Sequence, residues 1–253
     1  MHRKIYVSLL AGIALISASS VFGATSASAA TPRKFKEIST AGKYSQWAFV
    51  EKKGYAYASP SKSSEKVARL KLKTFEKTDN LVYVEAQTTG GSIWYRVRLP
   101  GKVTPVGQPA SAWVPRSALG PLQAVRTHIK INRESRTLTF IKGGRTIGTY
   151  PVGVGRADDG QFTPTPAGEY YVRMKMSGFA KGGAYGNHAL GLSATSEQLE
   201  KSWKGGGFIG IHGTNEPGKI PGAVSHGCVR MKNTHMDKRL FPKVPVGTPV
   251  TIE

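Results

Sequence analysis

The stretch "IGIHGTNEPGKIPGAVSHGCVRMKN", residues 209–233, carries the only cysteine of the chain, Cys228. Its first residues, after a run of glycines, read as a strand that ends at His212. "GTNEPGKIPGAV" follows, a Gly/Pro loop suited to folding the chain back on itself. "SHGC" then sets Ser225, His226 and Gly227 directly before the thiol. A single cysteine has no partner in its own chain, so it forms an intermolecular bridge, a buried inert thiol or a reactive one. Histidine, glycine and Arg230 are poor company for an inert core cysteine, and they favour the reactive reading.

A thiol becomes a good nucleophile as thiolate, which needs a nearby base or cation. The chain has six histidines. His2 belongs to the N-terminal leader, His128 sits on an apparent strand with Lys130, and His188 and His235 fall in a loop and at a helix start. His212 and His226 remain. On an extended segment His226 would point the same way as Cys228, whereas His212 would need the fold to return it. Residue chemistry alone leaves both open. Gly227, without a Cβ, would let a substrate carbonyl approach the backbone. The amides of Gly227 and Cys228 could then hold an oxyanion. Four zinc ligands (Cys228, His226, His212 and His235) are the competing reading. It is disfavoured by the absence of a Cys pair or HExxH spacing.

Outward from this stretch the pattern is mainly β. "HIKINRESRTLTFIKGGRTIGTYPVGVG" gives three strands, with Gly143-Gly144 supplying a tight hairpin turn. "TPTPAGEYYVRMKM" feeds another strand, and "SGFAKGGAYGNHALGLS" reads as a glycine-rich loop over something. "TSEQLEKSW" reads as a short capped helix. "NTHMDKRLF" is a second, with Met236 and Leu240 inward, and "PVGTPVTIE" closes with a strand. Upstream, residues 45–120 show short strands and polar turns, among them the alternating "LVYVEAQTTGGSIWYRVRLP", which suggest a small barrel. Trp94, Tyr95 and Trp113 there are either a ligand platform or core. Residues 30–44 are polar, basic and aperiodic and read as a linker.

Residues 1–29 have a basic start, an apolar stretch and an A-x-A site at Ala27-Ser28-Ala29, the order of a secretory signal peptide. The expected location is therefore outside the cytoplasm, with a retained membrane anchor as the alternative. Lys and Arg number 36 against 15 Asp and Glu, a net charge of +21. That predicts attraction to polyanions, and for an exported protein anionic wall polymers fit better than nucleic acid. No arginine-rich run or aromatic motif suggests base reading.

The spaced His212…Ser225-His226-Gly227-Cys228 motif, with "VGVG", "TPAGEY", "YGNHALGLS" and "DKRLFPKVPVGTPVTI" in order, resembles the L,D-transpeptidase catalytic domain of the YkuD family. The resemblance covers residues 123–253. Residues 45–120, at "YASPSKSSEKVARLK", "IWYRVRL" and "SAWVPRSALG", are similar to bacterial SH3-like domains, which accompany cell-wall enzymes. The implied fold is an SH3-like barrel followed by a YkuD-type β-sandwich with short helices.

The family resemblance also implies roles. Cys228 would be the nucleophile and His212 its base, oriented by the carbonyl of Gly213, where some members place serine. The backbone around His226, Gly227 and Cys228 would take the oxyanion, with Ser225 and His226 organising the pocket. Arg230, Tyr185, Gly186 and Thr214 would contact substrate. The implied reaction joins peptidoglycan stem peptides by 3→3 cross-links through a thioester, with no metal or organic cofactor. With water as acceptor the same site is an L,D-carboxypeptidase, and with a protein amine it anchors proteins to the wall. A non-catalytic wall-binding protein is the remaining class. The sequence does not specify an oligomeric state.

Overall fold

The computed structural model describes residues 34–103, 109–156, 164–180, 182–196 and 206–253. The expected signal peptide and almost all of the helix expected at residues 195–203 lie outside them. Among the described residues the fold is mainly β, as expected, with two sheets and a few short helical turns.

The first sheet is built from β1 (Phe35–Glu37), β2 (Ser45–Phe49), β3 (Gly54–Tyr57), β4 (Lys66–Leu70), β5 (Leu81–Thr88), β6 (Trp94–Val103), β7 (Pro109–Pro115) and β8 (Gln123–Val125). Its order is β4-β3-β7-β6-β5-β2-β8, with β1 paired to β5. Part of the stretch read as a linker is therefore a strand. Val82, Val84, Val97 and Val114 fill the core of this sheet, as period-two alternation requires. Trp94 and Trp113 are buried with Tyr57 in a small aromatic cluster, and Tyr95 joins the valine core. Their burial makes all three packing residues.

The second sheet contains β9 (Thr127–Asn132), β10 (Thr137–Lys142), β11 (Arg145–Pro151), β12 (Gly153–Gly155), β13 (Gly168–Ser177), β14 (His188–Thr195), β15 (Phe208–His212), β16 (Gly222–Ser225), β17 (Val229–Arg230) and β18 (Pro249–Ile252). Its order is β11-β10-β9-β18-β13-β14-β15-β17-β12-β16. The "KGGR" turn joins β10 to β11, with Gly143 and Gly144 at φ 58° and 78°. Both angles lie in the left-handed region that such a two-residue hairpin demands. In the middle of the sheet β14 and β15 are buried on both faces. Leu190, Leu192, Ile209 and Ile211 are lost to solvent there, together with Phe140 and Val172. One helical turn, Asn233–His235, continues as a π-type turn over Met236–Leu240 and buries Met236 and Leu240.

The sheets meet through Trp47, Leu81, Tyr83 and Val125 of the first and Tyr171 of the second. Tyr171 is wholly buried and stacks on Tyr83 at 6.1 Å between ring centroids. Its hydroxyl donates to the Leu81 carbonyl at 3.2 Å, which removes the penalty of burying an unpaired phenol. Gly247, at φ 78°, lies against the indole of Trp47, and a Cβ there would overlap that ring.

Candidate active site

Strand β15 pairs in parallel with β17, setting Ile211 beside Val229 and His212 beside Arg230. This pairing returns His212 to the neighbourhood of Cys228, two residues before Arg230. The connection runs through the 3-10 turn Pro217–Lys219 and β16. The segment at Cys228 is not the extended one on which His226 would point the same way as the thiol. Gly227 sits at φ 114°, between β16 and β17, and turns the chain there. An L side chain rarely adopts that angle, and a Cβ at this point would also press on Ser196 at 3.3 Å.

His212 is buried, and its Nδ1–H donates to the carbonyl of Gly213 at 2.6 Å. That bond commits Nδ1 and leaves Nε2 as the acceptor nitrogen. Burial pulls the imidazole pKa from 6.5 down to about 4; the Gly213 bond raises it and the charge of Arg230 lowers it further. The Cys228 thiol, partly buried, is pushed up from its ordinary value by burial, against weaker lowering by the Gly210 backbone and Arg230. At rest both groups are therefore neutral. A neutral imidazole beside a neutral thiol can accept its proton when an electrophile arrives.

His212, His226, Cys228, Ser225, Arg230 and Tyr185 line one cavity of about 520 Å³. The rest of its wall is largely apolar, from Met174, Met176, Phe179 and Phe208. His226 is exposed at the rim, and its carbonyl accepts from Ser196 Oγ at 3.3 Å. Ser225 Oγ donates to the Cys228 carbonyl at 2.5 Å and accepts from the Gly227 amide at 3.2 Å. The serine thus fixes the turn that presents the thiol.

The Tyr185 ring lies 4.8 Å from the His212 ring and stacks on Phe179 at 5.5 Å. Burial, then the sulfur of Cys228, push its phenol up to about 12, against the charge of Arg230. Gly186, at φ 64°, packs against Gly213; a Cβ on Gly186 would lie 2.7 Å from the Gly213 Cα. Asn233 touches both glycines, and its Oδ1 accepts the Thr214 amide at 2.8 Å. Thr214 is not among the residues that line the cavity; it caps the loop, its hydroxyl accepting from the Glu216 amide at 3.0 Å. Glu216 also pairs with Arg230 at 3.1 Å. Asn233 and Glu216 escaped the sequence reading although both lie inside the quoted stretch. Their roles depend on which backbone groups come near them, which no residue pattern announces.

His235 lies apart, its ring 5.1 Å from Tyr150. Among the described residues no three of His, Cys, Asp or Glu gather as a metal site requires.

A family model for the YkuD L,D-transpeptidase catalytic domain matches residues 126–252. The chain belongs to that family. It is 38% identical to YkuD of Bacillus subtilis (strain 168) over 125 residues, 49% of this chain and 65% of that protein. It is 31% identical to YqjB of the same strain over 131 residues, 49% of this chain and 70% of that protein. The chain thus spans slightly less than two thirds of the length of YkuD. Among solved structures, the catalytic domain of the E. faecium L,D-transpeptidase is similar at 23% identity. It covers 50% of this chain and 96% of that one, with a TM-score of 0.38. The YkuD-family match takes in the whole second sheet and leaves the first sheet outside.

Proposed function

We propose that this protein is an exported cysteine L,D-transpeptidase that cross-links peptidoglycan stem peptides. The observation that carries the reading is the pairing of His212 and Cys228 in one cavity, with His212 Nδ1 tied to Gly213, in a chain of the YkuD family. In this reading His212 Nε2 takes the thiol proton as Cys228 attacks the carbonyl of the third stem residue. The C–N bond to the terminal D-alanine breaks, and the imidazolium returns its proton to the leaving amine. The thioester then passes to the side-chain amine of a second stem, giving a 3→3 cross-link. A thioester retains enough reactivity to form the new amide without ATP.

Backbone amides of the His226–Cys228 turn serve as oxyanion donors, that of Gly227 being exchanged from Ser225 Oγ. Tyr185 and Arg230 flank the reacting centre, and Gly186, Gly213 and Thr214 hold the loop that fixes His212. The first sheet, read as an SH3-like domain, holds the enzyme near its substrate. The strong positive charge adds attraction to anionic wall polymers. Among the described residues no helix is long and apolar enough to cross a membrane.

Incubation of the purified protein with tetrapeptide stems tests the reaction. A cross-linked dimer is expected, with the acyl group found on Cys228 by intact mass. Tripeptide alone would assign a carboxypeptidase. Full dimer formation by Cys228→Ala would refute the thioester route.

A further inference from the structure

The cavity that holds Cys228 is not made by the second sheet alone. Glu76, from the turn between β4 and β5 of the first sheet, also lines it. That turn is well braced: Lys73 pairs with Asp79 at 2.6 Å, and the Thr74 and Thr78 hydroxyls meet at 2.9 Å. Lys77 turns the chain at φ 63°.

Glu76 binds Arg173 through both carboxylate oxygens, one of them at 3.2 Å. Burial raises the Glu76 carboxyl, but the hydrogen bond and charge of Arg173 outweigh it and hold it below the usual range. Arg173 is itself buried and spends its Nε on the Leu192 carbonyl at 3.0 Å. Its guanidinium lies 3.7 Å over the ring of Phe208, another cavity residue.

The register between β13 and β14 shifts between Val172 and Met174, which makes Arg173 the extra residue of a bulge. A bulge re-aims side chains, and here Arg173 and Met174 both reach the cavity despite being consecutive. The Glu76–Arg173–Phe208 group is thus a wall held from both sheets. It stands two residues up β15 from Gly210, whose backbone meets the Cys228 sulfur. Two strand residues rise about 7 Å. A lysine-like side chain reaches about 6 Å from its Cα, given ordinary bond lengths.

We propose that Glu76 is a specificity-determining residue that closes the far end of the cavity and limits the side-chain length of the donor's reacting residue. This rests on the proposed function for the identity of the donor. The apolar stretch between thiol and wall (Met174, Ile209) takes the methylenes, and the Arg173–Glu76 pair meets the polar head.

The test measures binding of tetrapeptide stems that differ only at the third residue: alanine, ornithine, lysine and a homologue one methylene longer than lysine. All proteins carry Cys228→Ala, so binding is read without turnover. The longer homologue should bind about tenfold more weakly than lysine, the usual penalty for one methylene too many. Glu76→Gln keeps the bulk and should keep that ratio. Glu76→Ala takes away the part of the wall that closes the end and should bring the ratio below about threefold. Circular dichroism confirms that each variant is folded.

Equal binding of lysine and its homologue, or an unchanged ratio in folded Glu76→Ala, overturns the proposal and leaves the transpeptidase reading intact. A length-dependent ratio that Glu76→Ala abolishes supports it even if the wild-type protein makes no cross-link, an outcome that would refute only the reaction. Failure of every stem to bind overturns both.

Discussion

Lowering the pH from 8 to 5 should destabilise this protein in a way that His212→Gln largely removes. The imidazole of His212 has a folded pKa of about 4 against 6.5 unfolded, because burial opposes its charge. At pH 8 it is neutral in both states and contributes nothing. At pH 5 the unfolded residue is about 97% protonated and the folded one only about 10%. The unfolded state binds more protons there, so stability falls as pH drops through the window from 6.5 to 4. Integrating between the two pH values gives a loss of about 2 kcal/mol from this one residue. Urea unfolding of wild type and His212→Gln at both pH values measures it. The absolute stability of the variant is immaterial; what counts is the difference between pH 8 and pH 5. That difference should shrink by about 2 kcal/mol in the variant. If it stays within about 0.5 kcal/mol of wild type, His212 is not held neutral by burial and the account of the resting site fails.

The same low pKa should keep His212 basic in mild acid, so kcat/KM for the proposed reaction should hold between pH 7 and 5.5; a half-loss near pH 6.5 would contradict it. Gly213→Ser should lower activity at least about tenfold, because a Cβ here would overlap Asn233 Oδ1 and reach within 3.0 Å of the Gly186 Cα. Single-turnover acylation of Cys228 reads that effect. Tyr171→Phe should cost about 1–3 kcal/mol in urea unfolding, since it leaves the Leu81 carbonyl without this donor in a buried seam.

Much of the second sheet could be read locally. The "KGGR" hairpin and the strands on either side of it depend only on neighbours in sequence, and the buried Met236 and Leu240 follow from helical spacing. The site was harder. Composition left His212 and His226 level as partners for Cys228. The parallel pairing of β15 with β17 places His212, and the turn at Gly227 removes the simple alternation that would have aligned His226 with the thiol. Neither is a local property. The short strand Phe35–Glu37 escaped notice because all three residues are exposed and too few to show a period. Glu76 and Arg173 are invisible as a pair in the sequence, since nothing about an exposed-looking "TFEKTD" turn points to a residue so far downstream.

The contact between Trp47 and Gly247 has a consequence for heredity. A C-terminal half moved by recombination onto a different carrier would arrive with a bare backbone facing a gap where the indole should be. A first sheet given to a relative with any larger residue at that position would find its tryptophan evicted. The two positions must therefore be exchanged together or not at all. For this lineage, swapping the front module is a change of partner that both halves have to accept.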